Sequence, residues 1–166
     1  SINIVNSQYR TSSSTKIIEE IKLRKQILNQ VDTLLKEINF ARCNPKNYSL
    51  IKNLQFERLD TLLSKEPFLL DYELCKKAQS YSNKLSKDTY NLNYVVCQHS
   101  DMNYNESICF STSLNKTIYQ LILDKGSDIK GHRKHLLSID NKDTKIGIGI
   151  SYIPSLEWYV IVIVTE

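Results

Sequence analysis

The C-terminal end of the chain constrains the fold most. Ile146, Ile148, Ile150 and Tyr152 alternate with Gly147, Gly149 and Ser151, the period-two pattern of a strand with two different faces. A turn around Pro154-Ser155 follows, and the run Trp158 to Thr165 then carries apolar residues at both parities. Two such segments predict an antiparallel hairpin. A strand that is apolar on both sides needs cover on both sides, so helices are expected above and below the sheet.

Helical patterns upstream can supply that cover. Ile17, Ile21, Leu28, Val31, Leu35 and Ile38 fall on one side of a long helix, with Thr15 as N-cap and Glu19 and Glu20 in its first turns. Pro45 marks the exit from that region. A second helix is expected after Asp71, with Leu74, Ala78, Tyr81 and Leu85 at spacings of four, three and four. A third runs from about Asn115 to Lys125, buries Ile118, Leu121 and Ile122, and stops at Gly126. The fold class expected is α/β, a three-layer α-β-α sandwich with a small, mainly antiparallel central sheet. Residues 1–14, ending in Thr11-Ser12-Ser13-Ser14, are polar and aperiodic and read as a flexible N-terminal arm. Residues 15–166 read as a single domain, since 166 residues at 41% hydrophobic content suit one core.

Charge and motif content narrow the function classes. The net charge of +4 comes from basic residues spread along the chain and not grouped with stacking aromatics, so no nucleic-acid partner is expected. No apolar stretch approaches the roughly 18 residues of a membrane span. No P-loop, dinucleotide fingerprint, G-x-S-x-G elbow or HExxH helix is present. Cys43, Cys75, Cys97 and Cys109 are too widely spaced for a CxxC zinc knuckle. Their even number suits two disulfides in an oxidising compartment, with three pairings open, while Cys75 within a helix suits a buried thiol. The stretch Tyr48 to Leu63 reads either as the lining of a lipid groove or as core, with Leu50, Leu54, Leu59, Leu62 and Leu63 packed inside.

Five short motifs occur in order. Leu70, Leu74 and Ala78 stand at spacings of four. His99-Ser100 is followed by Tyr104, Glu106 and, further on, by Gly131-His132-Arg133. Ile146-Gly147-Ile148-Gly149 and the aromatic Trp158 complete the series. Together these resemble the CAP superfamily of secreted and cell-surface proteins over residues 31–166. Asn105 and Ser107 replace the family's usual Gly and Asn on either side of Glu106.

The resemblance implies the α-β-α sandwich, with a cleft holding two His and two acidic residues. His99, Glu106 and His132 map onto three of those positions as candidate metal ligands. The family's second Glu falls near the end of the third helix, where this chain offers Asp124, one methylene shorter. Two imidazoles and a carboxylate can hold Zn²⁺ or another divalent cation with water in the open position, and such a water is a potential nucleophile. The same side chains can instead bond one another and fix the loops. Ser100 directly follows His99, a poor arrangement for a nucleophile and its base. His135 shares a helix face with His132 and reads as a surface residue beside Arg133 and Lys134, with an extra metal ligand as the alternative.

The expected function is that of a secreted or cell-surface, non-catalytic binding module whose His/Glu cleft can hold a divalent metal. Its partner would be a protein or a lipid at the cell exterior. Alternatives are a metal-dependent hydrolase at the same cleft and a lipid- or sterol-binding protein. The resemblance alone also suggests a toxin-like or defence role. The start at Ser1, at the head of a polar arm, suits a surface lipoprotein tethered through a lipidated Cys upstream, and the domain is read as a monomer.

Overall fold

The computed structural model describes residues 2–87, 105–125, 130–137 and 142–166. In chain order the elements are α1 (Ile2–Cys43), α2 (Pro45–Ile51), two short 3₁₀ turns (Gln55–Glu57 and Leu59–Thr61) and β1 (Leu69–Leu70). These are followed by α3 (Tyr72–Lys87), β2 (Asn105–Ser111), α4 (Leu114–Leu123), α5 (Gly131–Leu137), β3 (Lys145–Ile153) and β4 (Trp158–Thr165). The strands form one sheet in the order β1-β3-β4-β2. β1 runs parallel to β3, while β3 and β2 each pair antiparallel with β4.

The hairpin is the centre of the sheet, as its pattern requires. Alternation sends Ile161 and Ile163 of β4 to one face, with Ile146, Ile148 and Ile150 of β3. It sends Val160, Val162 and Val164 to the other. The isoleucine face packs on α1, α2, α4 and α5 through Val31, Leu34, Ile38, Tyr48, Ile118, Ile122 and Leu136. The valine face packs on α3 through Leu74, Ala78 and Leu85. The result is a three-layer α-β-α sandwich with a small, mainly antiparallel sheet, as expected.

On the valine face β3 presents Gly147 and Gly149 before Ser151 and Ile153, so α3 sits directly on the strand backbone at the two glycines. A Cβ at Gly149 would lie 2.2 Å from the Ala78 carbonyl carbon, and one at Gly147 the same distance from that of Leu74. β1 pairs with only the first two residues of β3, and α3 serves the ladder groups beyond. The Gln79 side-chain amide donates to Ile150 O (2.7 Å) and accepts from Ile150 N (3.0 Å), as a neighbouring strand would. Asp71 starts α3, its Oδ1 accepting from Leu74 N at 3.0 Å.

Three expectations are corrected. α1 does not start at Thr15. It takes in residues 2–14, which the sequence assigned to an arm, because the first 44 residues contain neither Gly nor Pro to stop a helix. Its apolar stripe is buried only from Val31 onward. Ile17, Ile21 and Leu28 are exposed, since the sheet, α2 and α4 reach no further along the helix. The stretch Tyr48 to Leu63 divides between core and surface: Tyr48, Leu54 and Leu59 are fully buried, whereas Leu50 and Leu63 are exposed.

Cys43, Cys75 and Cys109 are free thiols, so the two-disulfide expectation does not hold for them. Cys75 lies on α3 and Cys109 against the opposite face of the sheet, separated by the sheet itself. Cys97 lies outside the described residues. No helix among the described residues is long and apolar enough to cross a membrane.

Candidate functional site

The polar centre of the molecule lies where α5 crosses β2. On β2, alternation turns Ser107, Cys109 and Ser111 toward the isoleucine-face layer and Glu106, Ile108 and Phe110 toward α3. α5 brings His132 and His135 over the same spot, three residues apart on one helix face. Both rings reach the Ser107 hydroxyl. His132 Nδ1 is 3.0 Å from Ser107 Oγ and His135 Nδ1 is 2.7 Å from it. The far nitrogen of His135, Nε2, lies 2.8 Å from Thr165 Oγ1. The Thr165 hydroxyl in turn donates to Asp143 Oδ2, which also accepts from Asn105 Nδ2 at 2.7 Å.

His135 is therefore no surface residue. Its ring is buried because the β2 and β4 ends close over it, and that burial lowers its pKa to about 4, against a weaker upward pull from Asp143. This links stability to pH. Between its ordinary value of 6.5 and about 4, His135 takes up a proton in the unfolded chain but not in the folded one. Stability is then fully present above pH 6.5 and falls as the pH drops toward 4, by on the order of 3 kcal/mol over the full interval. Urea unfolding at several pH values should show this slope, reduced by that amount in His135→Gln. An unchanged slope in the variant would contradict the burial of a neutral ring.

Asp124, the acidic residue at the end of α4, anchors the next helix. It ends α4 in the left-handed conformation (φ 49°), replacing Gly126 as the stop signal. Its Oδ2 accepts from the backbone N–H of His132 at 2.9 Å and of Arg133 at 3.4 Å, which anchors the start of α5. Arg133 answers by binding the end of α4, donating to Ile122 O (2.7 Å) and Leu123 O (3.0 Å) and pairing with Glu57 at 2.5 Å. The hydrogen bond from Arg133 holds the Glu57 carboxyl below its usual pKa.

The structure brings His132 into this network, but not Glu106. Alternation puts Glu106 on the α3 side of β2 and Ser107, with its partner His132, on the other. Among the described residues no group of three His, Cys, Asp or Glu side chains is close enough to hold a metal, and His99 lies outside the described residues. Thiol chemistry has no foothold at Cys109, whose pKa burial pushes up to about 11.

Sequence reasoning missed Ser107, Thr165, Asp143 and Arg42. Arg42, buried at the end of α1, donates to Glu66 O (2.8 Å), Leu136 O (2.9 Å) and Asp143 O (3.1 Å), its guanidinium 3.8 Å from the Phe68 ring centre. The small hydroxyl residues at alternate positions of β2 were the available signal for Ser107.

No protein-family model and no curated protein matches the chain. A solved structure is similar to it. Schistosoma mansoni venom allergen-like protein 4 shares 12% identity over 86% of each chain, with a TM-score of 0.47. At that score the likeness to the venom allergen-like protein carries no further conclusion, and the fold assignment rests on the sheet and its two helical layers.

Proposed function

We propose that this chain is a CAP-like binding module of the cell exterior, with the His132 region serving as a rigid scaffold and not as a hydrolytic centre. The observation that carries this reading is the internal commitment of the polar groups. The Ser107 oxygen is buried between two imidazoles, and Asp124 is held by backbone N–H groups of α5. His135 is enclosed and neutral. A hydrolase needs a base with a water or nucleophile within reach of substrate, and these groups face one another. The ordered motifs from Leu70 to Trp158 support the CAP-like reading. Two of them meet in space, where Gly147 and Gly149 receive Leu74 and Ala78.

Assays of peptide and ester hydrolysis with added zinc, with and without chelator, test this reading. No chelator-sensitive turnover is expected, and His132→Ala should change none. Turnover that is lost in a folded His132→Ala variant would establish the hydrolase instead. A calorimetric zinc titration tests the divalent-ion set His99, Glu106 and His132. One-to-one binding that disappears in the His99→Ala, His132→Ala double variant would place an ion there.

A further inference from the structure

We propose that Asp143, Thr165, His135 and Ser107 form a directional hydrogen-bond relay that positions His132 as its Nδ1–H tautomer, leaving Nε2 as the proton-free nitrogen of the ring. The direction follows from counting donor hydrogens. A carboxylate only accepts, so the Thr165 hydroxyl gives its one proton to Asp143 Oδ2. The Thr165 oxygen must then accept from His135 Nε2, 2.8 Å away, and this puts the proton of a neutral His135 on Nε2. Burial keeps His135 neutral. Its Nδ1 is left as an acceptor and receives the Ser107 proton across 2.7 Å. Ser107 has no second proton. The 3.0 Å contact with His132 Nδ1 is therefore a hydrogen bond only if His132 carries the hydrogen on that nitrogen.

A neutral histidine side chain in water favours the opposite, Nε2–H form. Here four hydrogen bonds in series transmit the acceptor character of Asp143 to a half-buried ring at the other end. Ser107, His135 and Thr165 are positioning residues in this scheme. Its consequence for recognition is definite: a group that meets His132 at Nε2 has to bring a donor hydrogen or a cation, because the ring offers a lone pair there. This inference does not depend on whether the chain is a binding module or an enzyme.

Long-range ¹H–¹⁵N correlation spectra of the labelled protein in mildly alkaline buffer read the tautomers directly. His132 and His135 should appear as neutral rings of opposite tautomer, His132 protonated on Nδ1 and His135 on Nε2. Ser107→Ala should return His132 toward the Nε2–H form while His135 keeps its own, and Thr165→Ser, which retains the hydroxyl, should leave both unchanged. Packing alone would not move the tautomer of His132. Two rings of the same Nε2–H form in the parent protein, or a His132 pattern untouched by Ser107→Ala, would overturn the relay. Should Ser107→Ala fail to fold, the parent spectrum, assigned with His132→Gln, decides.

Discussion

Gly149→Ala is expected to destabilise the protein by about 3 kcal/mol, far more than a single added methyl does on an open surface. The new Cβ would stand 2.2 Å from the carbonyl carbon and 2.3 Å from the carbonyl oxygen of Ala78. Neither atom is the end of a flexible side chain, so α3 must lift or β3 must shift. Lifting α3 strains the Gln79 amide on Ile150 and the Ser82 hydroxyl on Val160 O (2.7 Å). The opposing gain, a less flexible unfolded chain, is only about 0.4–1 kcal/mol. Gly131→Ala is the control, because nothing lies within 4 Å of the Cβ it would add. That substitution at the start of α5 should be neutral or slightly stabilising. Urea unfolding should therefore show a large loss for the Gly149 variant and none for the Gly131 variant, and a loss below about 1 kcal/mol at Gly149 would rule out the direct contact of α3 on β3.

Arg42→Ala should cost about 4 kcal/mol. The substitution removes the donor for three carbonyl oxygens, those of Glu66, Leu136 and Asp143, and an unserved buried acceptor costs about 1–3 kcal/mol. It also removes the guanidinium from the face of Phe68, itself buried. Arg42→Lys keeps the charge but has no fork with which to reach three acceptors, so it should recover less than half of the loss. Because Arg42 holds the Asp143 backbone, Arg42→Ala should also loosen the Thr165–Asp143 bond at the head of the relay. Unfolding measurements that give the alanine and lysine variants equal stability to the parent would show that water serves these carbonyls in place of Arg42.

Local patterns carried the layers of the fold. The alternation from Ile146 to Tyr152 and the doubly apolar run to Thr165 specified both the hairpin and the need for helices on two sides. Leu74, Ala78 and Leu85 announced the face that α3 buries. The extent of burial was less legible. Ile17, Ile21 and Leu28 have helical spacing and lie in a helix, yet they are exposed. Periodicity reports which residues share a face, but not whether another element covers it. Asp124 was marked as an acidic residue near the end of a helix, and its bonds to the backbone of His132 and Arg133 became evident only in three dimensions.

The candidate site divides the same way. His132 stood out through Gly131-His132-Arg133, and His135 was placed beside it by helical spacing. The reading of His135 as exposed was wrong because its neighbours in sequence, Arg133 and Lys134, say nothing about Ser107 and Thr165, which enclose it from 28 and 30 residues away. Arg42 meets carbonyls 94 and 101 residues distant. By itself, the sequence determined the strand and helix faces and the order of the motifs, because side-chain period acts between near neighbours. Only the tertiary structure decided which polar groups became partners. A buried donor or acceptor has to be satisfied by whatever the fold places within hydrogen-bond distance of it, and chain separation puts no limit on that choice.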